Sequence, residues 1–511
     1  MIRAITITAC LLGCAGAAGA KDLKGVFEDA VKNDPVIRQA EANRNASREA
    51  KPQAWAAVLP QINGTAGITR DHTSGFQDQV VELSDPNNPT APPRLVVVSE
   101  AETLDTTTKT WALNLRSNLF SWTNWMNIRA AHAEVAQAEV NYQAAEQNLI
   151  LRVATAYFAV LSAYDSLVAN QASLEAISRQ LDQANKRFEV GLIAVTDVQE
   201  AKAARDTAAA AVIAAKRTLA TTEDQLEEIT GEKYDRLSKP GTELPLKGPD
   251  PEDETRWVNI SLEQNLNLVA SRLAADIARD NVRAAFGGHL PTLDVVAGRS
   301  YTDSTSDQAF AGERFSNVDS KFNDRQIGLQ FTLPIYSGGF TQSKVRQNEY
   351  LWIAAKEGVV QSSRATERQA RDAYLGVISG IARVQALRQA LESSQTALKA
   401  TEAGYEVGTR TAVDVLNARK TLVQAETDYS GSRYDYIVSV LQLRLAAGTL
   451  DRAQLIEINN YLTLNAPMSP AETTPQNVLP TVPAPNGTGA PAPPSPSPGA
   501  APGSPPSGGK R

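Results

Sequence analysis

Two hydrophobic periods alternate along this chain. In Gln61 to Arg70, Ile62, Gly64, Ala66 and Ile68 alternate with Gln61, Asn63, Thr65 and Thr69; later, Ile327, Leu329, Phe331 and Leu333 alternate with Gly328, Gln330 and Thr332. A period of two predicts strands, and one apolar face opposite one polar face suits a wall between lipid and water. Thr108 to Phe120 continues the pattern, with Trp111, Leu113 and Leu115 on one side, Asn114 and Arg116 on the other, and Trp122 and Trp125 just beyond. Aromatics at a strand end suit an interfacial girdle, and each one singly suits a plain core nearly as well.

The second period is helical. From Asn124 to Val190 and from Thr341 to Val407 there is no proline, and Ala, Gln, Glu and Arg abound, as a long helix requires. About 67 residues at ~1.5 Å each would reach about 100 Å, beyond the needs of a globular domain. Each run turns at Val190-Gly191 or Val407-Gly408 and returns as a shorter helix, Thr196 to Ile229 or Thr411 to Ala447. Shorter helical stretches precede them, Leu23 to Val58, broken near Asn33-Asp34-Pro35, and Glu254 to Phe286. Between paired strands the polar segments Asp71 to Asp105 and Asp303 to Asp324 are expected to be exterior loops.

These elements recur in order. RFEVGLIAVTDVQEA at 187 aligns with GYEVGTRTAVDVLNA at 404, with an acidic residue six places after each glycine; LPQINGTAG at 59 aligns with LPTLDVVAG at 290, and Leu119-Phe120-Ser121 with Ile335-Tyr336-Ser337. Two halves of one architecture are therefore expected. The first covers 21–240, with strands near 59–73 and 106–121 and a helical hairpin at 123–230. The second covers 254–465, with strands near 290–303 and 325–337 and a hairpin at 340–448. From 466 to 511 the chain is rich in Pro, Ala, Gly and Ser, a composition unable to bury a core and expected to be disordered.

Composition narrows the setting. Met1-Ile2-Arg3, an apolar run to Leu12 and small residues ending Ala18-Gly19-Ala20 read as a signal peptide over 1–20. Cys14, after Leu11-Leu12-Gly13, offers a competing lipidation site. Both cysteines, Cys10 and Cys14, lie inside this leader, so a cut after Ala20 leaves no thiol for disulfides, catalysis or metal binding. No later stretch approaches the ~18 apolar residues of a membrane-spanning helix; any crossing must use strands. The net charge of −7 is mild and the signs are mixed, which argues against nucleic acid. His72, His132 and His289 are scattered, and neither a metal-ligand spacing, a phosphate loop nor a nucleophile motif accompanies them. No catalytic residue, metal or cofactor is expected.

The strings RQLDQANKRFEVGLIAVTDVQ, QLEEITGEKY, LPIYSGG and AGYEVGTRTAVDVLNA followed by AAGTL resemble the TolC-like family of outer-membrane exit ducts, which serves type I secretion and multidrug efflux. The likeness runs from Asp22 to Leu464; the stretch around Pro86 to Pro93 and the tail are less typical. The resemblance implies a mostly helical α+β fold with four transmembrane strands per chain. Three copies would build a β-barrel continued by an α-helical barrel, in the outer membrane of a Gram-negative bacterium and reaching into the periplasm. The barrel requirement also follows from physics, because four strands cannot close alone and an open edge in hydrocarbon costs several kcal/mol per unpaired group. The resemblance further implies a periplasmic adaptor (a membrane fusion protein) and an inner-membrane transporter, either an ABC transporter or a proton-driven pump.

Carried over residue by residue, the periplasmic gate falls on Gln180, Thr196, Asp197, Tyr405 and Arg410. Adaptor docking falls on the tips Val190, Gly191, Leu192, Val407, Gly408 and Thr409. Local chemistry offers a rival account: Thr196-x-x-Gln199 matches a capping box and Thr411-x-x-Asp414 nearly does, while glycine at a helix-hairpin turn is demanded by geometry. Where the family commonly places two aspartates at the entrance constriction, this chain has Asp414 and then Asn417, which share one helix face at i and i+3. A cation-preferring entrance with one acidic ring follows, unless Asp414 only complements its helix N-terminus. A coiled-coil adaptor or scaffold confined to the periplasm is the alternative function; the alternating strands with aromatic ends speak against it.

Overall fold

The computed structural model describes residues 20–83, 92–241, 244–310 and 313–467. In chain order the elements are α1 (Leu23–Asn33), α2 (Pro35–Arg48), α3 (Ala50–Ala56), β1 (Gln61–Leu83), β2 (Arg94–Ser121), α4 (Trp122–Glu189), α5 (Val195–Thr230) and β3 (Arg236–Pro240). They continue as α6 (Glu254–Gln264), α7 (Leu266–Phe286), β4 (Thr292–Phe310), β5 (Glu313–Thr332), α8 (Phe340–Glu406), α9 (Ala412–Ala446), α10 (Arg452–Asn459) and β6 (Leu462–Pro467). The fold is α+β and mostly helical. The expected signal peptide, apart from Ala20, lies outside the described residues.

The break between α1 and α2 comes from Asp34, held extended (φ −61°, ψ 120°) before Pro35 while its carboxylate accepts from the Ile37 amide at 3.1 Å. Asp34 is buried, and the Arg152 guanidinium meets it at 2.5 Å. The stretch expected to run unbroken from Glu254 to Phe286 is broken in the same manner: Asn265 adopts φ −60°, ψ 120° and accepts from the Leu268 amide. An asparagine performs this cap without a proline to announce it, and its amide nitrogen also donates to the Ala446 carbonyl at 3.0 Å.

The core lies where α1, α4, α9, α10 and β3 converge, around Leu23, Val26, Tyr157, Phe158, Leu161, Leu237, Leu441 and Leu455. Polar groups inside it are paired. Tyr157 donates to the Ser238 carbonyl at 2.5 Å, and Asp165 accepts from Lys239 Nζ at 3.3 Å, Tyr434 OH at 2.7 Å and Ser430 Oγ at 2.5 Å. Burial pushes the Tyr157 and Tyr434 phenols well above their usual range, so both remain neutral donors. β3 and β6 form a two-stranded antiparallel ribbon against this junction. Ala466 and Pro467 belong to β6, opposite Leu237 and Arg236, so the first two residues of the tail expected to be disordered carry ladder partners. The rest of that tail lies outside the described residues.

The larger sheet is antiparallel in the order β1-β2-β4-β5. Residues opposite one another share a face, so the register sorts the side chains. Ile62, Leu115, Ala297 and Ile327 stand in one row of an apolar face; Asn63, Asn114, Gly298 and Gln326 stand in a row of the other, followed by Thr65, Ala112, Ser300 and Asp324. The apolar residues are exposed, Ile327 by 85% and Leu329 by 70%.

The expectation of exterior loops from Asp71 to Asp105 and Asp303 to Asp324 is corrected. β1 continues to Leu83 and β2 begins at Arg94, while β4 and β5 approach each other to Phe310 and Glu313. Threonine and valine, dense in Thr106-Thr107-Thr108 and Val96-Val97-Val98, favour the extended chain. With polar groups on both faces, as where His72 Nδ1 meets Asp105 Oδ1 at 2.7 Å, no period-two signal marks the strand. Beyond the pair Glu102–Phe310, β1 and β2 continue as a two-stranded ribbon. Pro86 and Pro89 lie outside the described residues. No described helix is long and apolar enough to cross a membrane.

Candidate functional site at the helical tips

The two long helical hairpins, α4–α5 and α8–α9, turn by the same device. After α4, the Gly191 amide donates to the Phe188 carbonyl and the Leu192 amide to the Arg187 carbonyl, both at 2.8 Å, with Gly191 at φ 75°. After α8, the Gly408 amide donates to Tyr405 at 3.1 Å and the Thr409 amide to Gly404 at 2.8 Å, with Gly408 at φ 79°. Both are Schellman turns, in which a left-handed glycine lets two amides return to the last helical carbonyls. The turns leave Val190, Leu192 and Val407 among the most exposed apolar residues, 68%, 74% and 75%.

The return helices start differently. Thr411 caps α9 in a full capping box: its hydroxyl accepts from the Asp414 amide at 3.2 Å, while Asp414 Oδ2 accepts from the Thr411 amide and hydroxyl, each at 2.9 Å. The Thr411 amide, then its hydroxyl, and the nearby Arg410 charge hold the Asp414 carboxyl below the usual carboxylate range. The capping box expected at Thr196-x-x-Gln199 is absent. α5 starts one residue earlier, at Val195, so Ala194 occupies the cap position and has no side-chain acceptor. Thr196 lies inside the first turn, and Asp197, the third helical residue, supplies only a negative charge there.

Among the described residues, the five expected gate residues form no side-chain hydrogen bond or ion pair with one another inside one chain. Gln180 Nε2 is buried without a partner. Asn417 is exposed on α9, one turn beyond Asp414. Tyr405 does have a neighbour, one that sequence reasoning missed: the Arg187 guanidinium carbon lies 5.1 Å from the centre of its ring. That contact joins the end of α4 to the end of α8, and a spacing of 218 residues carries no local signal of it. Gln180 and Arg187, two turns apart, share one face of α4. Glu402 on α8 pairs with Arg419 on α9, closing the second hairpin.

This arrangement ties helix ends together through the Arg187–Tyr405, Glu402–Arg419 and Thr411–Asp414 contacts. Among the described residues no group of three His, Cys, Asp or Glu is placed to hold a metal.

The model of the family described as "Outer membrane efflux protein" matches residues 26–232 and 257–449. The outer membrane protein TolC of Escherichia coli (strain K12) is 34% identical over 486 residues, covering 94% of this chain and 92% of its own. The alkaline protease secretion protein AprF of Pseudomonas aeruginosa is 26% identical over 428 residues, covering 83% of this chain and 84% of its own. Among solved structures, the outer membrane protein VceC of Vibrio cholerae superposes with a TM-score of 0.65 at 21% identity, covering 83% of this chain and 96% of that one.

Proposed function

The chain belongs to the outer membrane efflux protein family, and from that premise we propose that three copies close one barrel, each giving the four strands β1, β2, β4 and β5. It is an outer-membrane channel for efflux or secretion and not an enzyme. The observation that carries the trimer is the sheet itself: one apolar face, one polar face and two open edges, β1 and β5. Open edges in hydrocarbon leave backbone groups unpaired, so β5 of one copy must meet β1 of the next. Twelve or so strands lie within the range of outer-membrane barrels.

In this reading residues 1–20 are removed as a signal peptide, 21–240 and 254–465 are two copies of one unit, and their helical hairpins continue the barrel across the periplasm. Gln180, Thr196, Asp197, Tyr405 and Arg410 link neighbouring copies at the closed end; the buried Gln180 Nε2 without a partner in its own chain supports a contact supplied by the next. An adaptor's helical hairpin docks on the exposed tips at 190–192 and 407–409. An inner-membrane transporter drives the cargo. Asp414 faces the entrance with Oδ1 left free by its capping duty, above a second level of neutral Asn417 amides.

The test is direct. Purified protein in mild detergent should run as a trimer by native mass spectrometry and conduct ions in planar bilayers. Replacing Tyr405 with Phe and Arg410 with Ser together should raise conductance while the trimer persists. A monomer without channel activity refutes the trimer, and unchanged conductance in the double variant refutes the gate.

A further inference from the structure

The apolar face of the large sheet carries a basic patch that conduction does not use. Rows are counted outward from the helices. The face begins with Phe120, Leu293 and Phe331, passes Val295 with Leu329 and Ile62 with Leu115 and Ile327, and reaches Trp111 opposite Tyr301. That distance is about 27 Å along a strand, or roughly 20 Å of membrane at a tilt of about 40°. Trp111 and Tyr301 stack with centroids 6.4 Å apart, while Trp55 and Trp125 meet edge to face at 6.0 Å near the helical end. Two aromatic belts thus bracket the apolar rows.

Around the outer belt stand four cations. Arg299 and Arg325 are directly opposite each other one row inside it, and Lys109 and Lys321 flank Asp303 one row outside it. All four are exposed, and among the described residues none closes an ion pair, although Asp303 is their neighbour in the register. The Arg299 guanidinium carbon lies 5.8 Å from the Trp111 ring centre, so this side chain leans outward over the belt, as a snorkelling arginine does. Like charges directly opposite on adjacent strands destabilise a sheet. A multivalent anion between them removes that penalty, and guanidinium groups fit phosphate oxygens in a paired fashion.

We propose that Lys109, Arg299, Lys321 and Arg325 form a binding site for the phosphate groups of lipopolysaccharide in the outer leaflet. The assignment rests on the reading that the sheet spans the outer membrane with its helices on the periplasmic side. Phosphate on a glycolipid is favoured over free phosphate because the cations ring the edge of an apolar band that acyl chains would cover.

Native mass spectrometry of the detergent-solubilised protein, titrated with deep-rough lipopolysaccharide and with the same lipid stripped of its phosphates, tests this. Wild type should bind the phosphorylated lipid at least tenfold more tightly than the stripped one. Lys109→Gln, Arg299→Gln, Lys321→Gln and Arg325→Gln combined should erase that preference, and Arg299→Lys with Arg325→Lys should keep most of it. Equal preference in wild type and the fourfold Gln variant, with the variant inserted in outer membranes and conducting normally, overturns this proposal alone. A wild-type protein missing from outer-membrane fractions and unable to conduct overturns the underlying reading and the proposal with it.

Discussion

The two hairpin tips share a turn and differ in how the chain leaves it. After α4 the chain passes from Gly191 through Ala194 into α5 with no side chain capping the new helix. After α8 it passes from Gly408 into a capping box, and the Arg410 stem lies so close over Gly404 that a Cβ there would stand 2.8 Å from Arg410 Cγ. A cap satisfies amides that otherwise rely on water and is worth about 1 kcal/mol. The second tip is therefore the stiffer, and the first the one more easily reshaped, although their turns look alike. An acidic residue six places after the glycine serves both sequences, yet only Asp414 is drawn into local bonding; Asp197 is left available to a neighbour.

The strongest way to probe the shared part is to put Val at Gly191 or Gly408. A β-branched residue in the left-handed region should cost about 1–2 kcal/mol at either tip, read as faster amide exchange in the adjoining turn; a clear difference between tips would show that the turns are not equivalent. The unshared part is probed next. Thr411→Ala should lower protection in the first turn of α9 by about 1 kcal/mol, whereas Thr196→Ala should change α5 by a few tenths at most; equal losses would erase the distinction. Smaller still is the bridge between tips: Arg187→Gln removes a half-buried cation–π contact worth roughly 0.5–1 kcal/mol. Channel-open probability should rise about two- to fivefold, while Tyr405→Phe, which keeps the ring, should leave this contact intact.

The gentlest probe is pH. Because the folded carboxyl of Asp414 titrates below its unfolded value, its contribution is complete above the unfolded pKa near 4 and is lost as pH falls through the folded value. Exchange protection in the first turn of α9 should therefore drop under acid, and Asp414→Asn should flatten that drop. The same variant should weaken channel block by multivalent cations, and Asn417→Asp should strengthen it.

Much of the helical fold is legible in the sequence because composition acts over long windows: tens of residues rich in Ala, Gln, Glu and Arg and free of proline favour helix. Strands are legible only where one face is apolar and the other polar. Ile62 and Ile327 announce themselves, whereas the outer parts of β1 and β2, without one apolar face opposite one polar face, read as loop although Thr106 to Thr108 and Val96 to Val98 favour extension. The break at Asn265 is hidden because asparagine has many uses, unlike Asp34 followed by proline. At the tips, Thr196 reads as a cap through its spacing alone, but the helix start is decided by the turn, one residue earlier. Arg187 escapes notice since its partner belongs to another hairpin.

Asp165, where α4, α9 and β3 are tied together, lies 24 residues before the end of α4 at Glu189, about 36 Å along the helix axis. Over such a length, small angles at the knot become large displacements at the tip. A tilt of only about 5° there carries the far end by roughly 3 Å, as far as a hydrogen bond is long. A displacement of that size at the tips thus corresponds to only a small angle at the knot.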